Sequence, residues 1–237
     1  MEIIQSGRLK VNGEIVKEPS WKVDPSCDKV FVDGKAVEEK FYQYVLLNKP
    51  AGYVTTTADP HAEKTILDLL PKEFRHLNPV GRLDQDTEGL LLLTNDGDTA
   101  YRLTHPKFNV DKIYVVKINS ALVPRQKVLL EKGVLVEGKR TAESEIRNLK
   151  TVAGHSEFEI TIHEGRKRQI RLMLAAIGHK VMYLKRIAQG PLALGELRTG
   201  QWRILDNPEI AVLKKLKSNV TVTNKRFGSG APIFWKR

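Results

Sequence analysis

The sequence is poor in cysteine, in acidic residues and in long apolar runs. Cys27 is its single cysteine, so no internal disulfide can form, and no Cys and His residues have the spacing of a zinc site. No apolar stretch is long enough to span a bilayer, and the N-terminus does not resemble a signal peptide. We therefore expect a cytoplasmic protein with no metal and no cofactor.

The shortage of acidic residues leaves a strong positive charge. The chain has 39 Lys and Arg against 28 Asp and Glu, a formal net charge of +11, and its isoelectric point is about 9.6. Such a charge is expected of a protein whose partner is a polyanion. An anionic membrane surface would also attract it, but the lack of a long apolar span favours nucleic acid.

The most informative stretch covers residues 79–97, Pro-Val-Gly-Arg-Leu-Asp-Gln-Asp-Thr-Glu-Gly-Leu-Leu-Leu-Leu-Thr-Asn-Asp-Gly. A polar loop carrying Asp84, Asp86 and Glu88 leads directly into four leucines, and Asn-Asp-Gly closes the run as a turn. The leucine run is too short for a helix and predicts a strand buried on both faces. The loop is thus mounted on a rigid element, where catalytic groups are usually held.

Three other interpretations of the loop are open from its residues alone. A calcium loop would use the three carboxylates, but Asn95 stands where a bidentate Glu is needed and no helix precedes the loop. A phosphoaspartate nucleophile would follow an apolar strand, whereas this loop precedes one. An ordinary structural turn built from Asp, Thr and Gly is the third, and the loop by itself favours it.

The sequence Gly-Arg-Leu-Asp-x-x-Thr-x-Gly-Leu-Leu-Leu-Leu-Thr-Asn-Asp-Gly resembles the signature of the RsuA-type pseudouridine synthases. The resemblance implies that Asp84 is the catalytic acid and that Arg82 holds the displaced strand or a neighbouring phosphate. The segment Asn-Lys-Pro-Ala-Gly at 48–52 matches another motif of this family. In that motif Lys49 would face a substrate phosphate or remain a solvated loop charge.

Two further motifs of the family lie later in the chain. In the Lys-x-Tyr motif, the resemblance implies that Tyr114 packs on the target uracil, although alternation alone makes it a core residue. In Gly-Arg-x-Arg-Gln-Ile-Arg, it implies that Arg171 pairs with Asp84. The basic residues of that segment are candidates for phosphate contact: Arg166, Lys167 and Arg168.

The segment Leu-Lys-Arg-Ile-Ala-Gln-Gly-Pro-Leu at 184–192 resembles a further pattern of this family. This pattern makes Arg186 a candidate for RNA binding. Gln189 departs from it, because the family commonly has an apolar residue at this place.

The N-terminal residues predict a helix ending at Gly7, a hairpin turned at Asn12-Gly13 and a strand ending at Asp33-Gly34. This order resembles the S4 RNA-binding domain, truncated because the chain begins within the region of the second S4 helix. The resemblance implies that Arg8 and Lys10 meet phosphates. Without it, the piece is a small β appendage.

Short strands dominate the rest, with few helices and no regular βαβ alternation. One of those helices is expected to begin at Asp98, as its cap. We predict an α+β fold of the pseudouridine synthase type, with a mixed, mainly antiparallel sheet and flanking helices. Residues 1–41 form the S4-like piece, 42–218 the catalytic domain and 219–237 a basic tail able to contact RNA.

The predicted function is isomerisation of a uridine in ribosomal RNA to pseudouridine, after extrusion of the base from its stack. The residues of the motifs and the basic tail favour the RluB-like enzymes, which act on large-subunit RNA. The protein is expected to be a monomer. Three alternatives remain: a small-subunit enzyme, a non-catalytic rRNA-binding or ribosome-assembly protein, and a metal-dependent hydrolase or phosphotransferase.

Overall fold

The structure is a computed structural model that describes residues 2–24, 27–37, 41–57 and 63–216. It divides into two compact units, Met1–Tyr42 and Gln43–Arg237, each of which is considered by itself. The boundary lies one residue from the one expected between 41 and 42. The tail expected at 219–237 lies outside the described residues.

The N-terminal unit is a short helix followed by a small antiparallel sheet. Its strands lie in the order β2-β1-β3-β4, and Asn12, Gly13, Asp33 and Gly34 at the two tight turns all have positive φ. Asn-Gly and Asp-Gly are the pairs that accept this conformation at low cost, so the predicted hairpin and second turn are confirmed. The elements are α1 Glu2–Gln5, β1 Leu9–Val11, β2 Glu14–Ile15, β3 Val30–Val32 and β4 Lys35–Ala36.

Within the described residues of the second unit, nine strands form one sheet, whose main path is β11-β12-β8-β13-β7-β5-β15. Only β13 and β7 pair in parallel there; the other pairs are antiparallel, which confirms the predicted mixed sheet. The nine strands are β5 Tyr44–Lys49, β6 Asn78–Pro79, β7 Glu88–Thr94, β8 Lys112–Ile118, β11 Glu145–Val152, β12 His155–Ile162, β13 Val181–Gln189, β14 Leu192–Ala193 and β15 Trp202–Ile204. Strands β9 Leu135–Val136 and β10 Lys139–Arg140 pair with each other in a separate two-stranded antiparallel sheet.

Helices and short 3-10 turns flank this sheet. The helices are α2 Gly97–Thr104, α3 Pro124–Glu131, α4 Gln169–Ala176 and α5 Asn207–Lys214, and the 3-10 turns are Ile66–Leu69, Lys72–Phe74 and Pro106–Phe108. In the part of the chain that the structure describes, no helix has the length and apolarity needed to cross a membrane.

The leucine run forms the centre of the sheet, as predicted. Leu91 and Leu93 belong to one hydrophobic core, whereas Leu90 and Leu92 point to the other face and belong to a second core. All four are fully buried. A strand in the middle of a sheet with a core on each face is therefore the mount for the loop that precedes it.

Helix α2 begins earlier than predicted. Asp96, not Asp98, is its cap: the Asp96 carboxylate accepts from the backbone N–H groups of Asp98 and Thr99. It also accepts from the buried Tyr44 hydroxyl (2.6 Å). Asp98 lies inside the first turn because the earlier carboxylate already satisfies the open N–H groups there.

We predict that Leu91→Ala lowers the free energy of unfolding by about 2–5 kcal/mol, because it empties space in a core that is packed from both sides of β7. Urea denaturation measures the change. Leu135→Ala is the matched control: this leucine is 66% exposed, so its loss should change stability by no more than about 0.5 kcal/mol. Equal effects of the two substitutions would contradict the assignment of β7 as the centre of the core.

Candidate active site

The loop before β7 is fixed from below by one buried ammonium. Lys49 is at the end of β5 and is 0% exposed, and its Nζ donates only to backbone carbonyls. These belong to Pro50 (3.0 Å), Asp84 (3.2 Å), Gln85 (3.3 Å) and Thr87 (2.9 Å). The expectation that Lys49 meets a phosphate or solvent is wrong: β5 pairs with β7 up to Gly89, which places the side chain beneath the loop.

Two further contacts tie the loop to the segment after β5. The Thr55 hydroxyl donates to the Leu83 carbonyl (2.7 Å), and it also accepts from the Leu83 N–H (3.3 Å). The Gly52 N–H donates to the Gln85 carbonyl (2.8 Å), and the Gln85 amide donates back to the Gly52 carbonyl (3.2 Å). The residues on either side of Asp84 therefore have little freedom to move.

Gly89 allows β7 to approach β13 directly after the loop. Its φ is +108°, and a Cβ there would lie 2.1 Å from the Arg186 carbonyl oxygen. No other residue type fits such a contact without a shift of the backbone. The loop and β13 are held together at this point.

Arg171 of α4 holds the loop from the side, but its partner is Asp86 and not Asp84. Its Nη2 donates to the Asp86 carbonyl (2.9 Å) and lies 3.3 Å from the Asp86 carboxylate. Arg168, just before α4, makes a bidentate pair with the same carboxylate (3.1 and 3.0 Å). The expected direct ion pair between Arg171 and Asp84 is absent, because the guanidinium is within ion-pair distance of the Asp86 carboxylate instead.

The carboxylates of the loop are thus in different environments. Burial raises the pKa of Asp86, but the Arg168 hydrogen bonds and the charges of Arg171 and Arg168 outweigh it and leave that pKa below its ordinary value. Glu88 accepts from the Tyr183 hydroxyl (3.1 Å). Among the described residues, none donates a hydrogen bond to the Asp84 side chain or forms an ion pair with it. Guanidinium partners on Asp86 argue against the calcium-loop interpretation.

Asp84 lines a cleft of about 540 Å³ together with Tyr114. Tyr114 is 8% exposed and belongs to the core on that face of the sheet, yet its hydroxyl has no hydrogen-bond partner among the described residues. It is therefore both a core residue and a wall of the cleft. The structure brings Asp84 and Tyr114 into one cavity, and Arg171 is not among the residues that line it.

Basic side chains surround the cleft. Arg82, Arg166, Lys167, Arg168, Lys112 and Arg186 all contribute to its lining. The first four are exposed, whereas Arg186 is 2% exposed and lies at the floor with its Nε donating to the Leu90 carbonyl (2.8 Å). Arg186 lines the cleft without reaching the exposed surface, and its contact with RNA stays a prediction.

In the N-terminal unit, the two predicted phosphate contacts differ. Arg8 is engaged by the Asp33 carboxylate through a two-point ion pair, while Lys10 is exposed and has no such partner among the described residues. A phosphate contact by Arg8 stays a prediction, and it would compete with Asp33.

A family model described as RNA pseudouridylate synthase matches residues 43–176. The chain belongs to the RNA pseudouridylate synthase family. It is an RNA pseudouridine synthase, an isomerase, and the family prediction and the fold-class prediction made from the motifs are confirmed. A second model, the S4 domain, matches residues 2–30 of the synthase.

Known relatives cover almost the whole synthase. An uncharacterized RNA pseudouridine synthase of Aquifex aeolicus is 41% identical over 95% of this chain and 91% of its own length. The ribosomal large subunit pseudouridine synthase B of Bacillus subtilis is also 41% identical, over 91% of this chain and 88% of the relative. A crystal structure of a pseudouridylate synthase superposes with a TM-score of 0.67 at 32% identity, covering 90% of this chain and 91% of that one.

Sequence reasoning missed two residues of the site. The sequence suggests Asp86 only as a possible calcium ligand, although Arg168 and Arg171, at the N-cap and in the first turn of α4, require a carboxylate partner. Lys112 was passed over, although it stands two residues before Tyr114 and so shares its face of β8. The spacing of the two arginines and the position of Lys112 on β8 can both be seen in the sequence, but neither shows which side chains are in contact in the folded protein.

We predict that Lys49→Met destabilises the synthase by about 1–3 kcal/mol, since it leaves buried carbonyls without their donor. It should also lower turnover at least tenfold by loosening the loop, with a smaller effect on RNA affinity. Thermal unfolding and single-turnover kinetics measure the two effects. Lys72→Met, at an exposed lysine, is the control, and equal behaviour of the two variants would refute the anchoring role.

We predict a pH signature for the same residue. Burial lowers the pKa of Lys49 from an ordinary 10.5 to about 8, and nearby carboxylates offset only part of this shift. Between these values the unfolded chain binds more protons than the folded one, so stability relative to Lys49→Met should rise with pH from 8 to 10.5. A stability difference that is flat across this window, measured by urea denaturation, would contradict the buried ammonium.

Proposed function

We propose that this synthase isomerises a uridine in large-subunit ribosomal RNA, with Asp84 as the catalytic residue. The observation that carries the proposal is an uncommitted carboxylate in a basic cleft, on a loop immobilised by Lys49 and Arg171. The substrate class rests on the likeness to the ribosomal large subunit enzyme of Bacillus subtilis. The S4 match at residues 2–30 supports a structured RNA as the partner.

The reaction breaks the bond between N1 of uracil and C1′ of ribose and joins C5 to C1′. As the first bond breaks, its electron pair leaves with the ring and positive charge develops at C1′. The Asp84 carboxylate either attacks C1′ or stabilises its charge. C5 then attacks C1′ and loses its proton, N1 gains one, and nothing enters or leaves overall.

The uridine must leave its stack to reach this cleft. Tyr114 offers an aromatic face for the extruded base. The exposed residues Arg82, Arg166, Lys167 and Arg168 surround the opening and match the charge of the flanking phosphates. Because Arg168 is already paired with Asp86, its contact with RNA would require exchange of one anion for another.

We predict that Asp84→Asn still folds and binds RNA but loses turnover by on the order of 10³-fold or more, because the charge at C1′ is no longer stabilised. Tritium release from RNA labelled at C5 of uridine measures the step. Asp98→Asn removes the same charge from an exposed position on α2 and should be fully active. Near wild-type release by Asp84→Asn would remove this residue from the mechanism.

We predict that Arg171→Met lowers turnover strongly and RNA affinity weakly, because Arg171 positions the loop through Asp86. Arg168→Met is the comparison: it removes the other partner of the same carboxylate from an exposed site, so its main effect should be on affinity and on its salt dependence. Turnover unchanged by Arg171→Met would place Arg171 among the residues that only bind phosphate.

The target is identified by mapping pseudouridine in both ribosomal RNAs from cells with and without the gene. We expect one pseudouridine of large-subunit RNA to be absent from the deletion strain and to be restored when that RNA is treated with the purified synthase. Loss of a site in small-subunit RNA would overturn the choice of subunit. No change in either RNA would exclude ribosomal RNA as the substrate.

A further inference from the structure

The floor of the cleft holds two cations that the reaction scheme above does not use. Lys112 on β8 is 8% exposed and Arg186 on β13 is 2% exposed, yet both contribute to the lining of the cleft. Gln189, at the end of β13, is 1% exposed and lines the same floor.

No carboxylate of the described chain lies within ion-pair distance of either cation. Lys112 Nζ donates to the carbonyls of Val110 (3.1 Å) and His163 (3.3 Å), and Arg186 Nε donates to the Leu90 carbonyl. Arg186 Nη2 is closed off from solvent and has no hydrogen-bond partner in the described part of the chain. Gln189 Oε1 is likewise buried with no partner among those residues, while its Nε2 donates to the Leu103 carbonyl (3.4 Å).

This arrangement is costly for a purely structural site. Burying a cation without a counter-ion is strongly unfavourable, and two together repel each other. Burial, followed by the charge of Arg186, lowers the pKa of Lys112 to about 8. Groups perturbed in this way are concentrated where a ligand supplies the missing charge or hydrogen bonds.

The three polar groups lie next to the tyrosine that offers a face to the base. Arg186 is directly opposite Tyr114 in the pairing of β13 with β8, and Gln189 is opposite Lys112. Side chains at directly opposed positions have Cβ atoms about 4.5–5.5 Å apart, and Lys112 shares its strand face with Tyr114. A base lying on Tyr114 therefore has its edge toward the floor.

We propose that Lys112 and Arg186 are catalytic residues that bind the carbonyl oxygens of the target uracil and stabilise the ring as it detaches. When the N1–C1′ bond breaks, the electron pair on the ring spreads over N1, O2 and O4, so hydrogen bonds to these oxygens strengthen in the transition state. Gln189 Oε1 accepts from the N3–H of the ring. This inference rests on the proposed function. It assigns the residues that stabilise the uracil ring as the leaving group of the same reaction.

A phosphate is the other anion that RNA could offer to this floor. The exposed basic residues at the mouth already suit phosphates, which stay on the strand outside, whereas an extruded base enters furthest. The observations therefore favour the base, and the kinetic test separates the two.

The test compares Arg186→Met, Arg186→Lys and Lys112→Met in single-turnover assays, on an oligonucleotide spanning the uridine identified by mapping. Circular dichroism checks that each variant folds. Arg186→Met and Lys112→Met should each lose about 10²–10³-fold in the chemical step, with little change in RNA affinity, and Arg186→Lys should lose less because it keeps the charge. Lys117→Met, on the other face of the same strand as Lys112, is the matched control and should be unaffected.

The decisive comparison is how the loss of rate in each variant changes when the uracil ring becomes a better leaving group. 5-Fluorouridine at the target position makes the detached ring a weaker base, so cleavage of its N1–C1′ bond needs less stabilisation. Because its C5 has no proton to lose, the single-turnover rate on both oligonucleotides is taken from the disappearance of the starting nucleoside in nuclease digests of the RNA, which follows cleavage of the N1–C1′ bond. The loss caused by Arg186→Met or Lys112→Met should be at least about tenfold smaller on this oligonucleotide than on the uridine one. A loss of the same size on both would mean that the residues only support the fold, and a loss confined to affinity and its salt dependence would mean a phosphate contact. Either result overturns the proposal.

Gln189→Leu tests the third contact, because leucine restores the apolar character common in the family at this position. Competition between uridine and cytidine oligonucleotides should show discrimination reduced by about 2–10-fold, the value of one hydrogen bond. Unchanged discrimination would remove Gln189 from the site. The turnover of the wild type in the same assays distinguishes this inference from the proposed function. If the wild type is active and the Lys112 and Arg186 variants are equally fast, this inference is wrong and the proposed function stands.

Discussion

A single buried ammonium is the constraint on which the site depends. Lys49 Nζ donates to the Pro50 carbonyl and to three backbone carbonyls of the loop before β7, so one ammonium ties the backbone of that loop to the end of β5. The charge is unfavourable where it lies, as the lowered pKa shows. This unfavourable burial lies directly below the catalytic loop, and the hydrogen bonds that the ammonium makes there hold the backbone at Asp84 in place.

The loop then divides its carboxylates between structure and chemistry. Asp86 pairs with the guanidiniums of Arg168 and Arg171, and Glu88 accepts from the Tyr183 hydroxyl, so both carboxylates have structural partners. Asp84 alone faces the cleft without a partner among the described residues. We infer that its neighbours keep it in position while leaving its charge available, which is the preorganisation that electrostatic catalysis requires.

Local patterns were predictable from the sequence, and long-range partners were not. The run of leucines between a polar loop and Asn-Asp-Gly specifies a strand buried on both faces, and Asn12-Gly13 specifies a hairpin. The resemblance pairs Arg171 with Asp84, whereas the structure pairs it with Asp86; the two carboxylates are two residues apart, and only the position of α4 selects between them. Lys49 was misplaced because a lysine is normally solvated. Helix α5 went unpredicted, although Asp206 and Glu209 form its capping box.

The role of Asp84 is tested most directly by a crystal structure of the synthase bound to an oligonucleotide that carries 5-fluorouridine at the mapped position. We predict that the base is extruded onto Tyr114 and that an Asp84 carboxylate oxygen lies about 3–3.5 Å from C1′ or is bonded to it. Asp86 would still be paired with Arg171. A complex with the base bound elsewhere, or with Asp84 turned away from the ribose, would contradict the account.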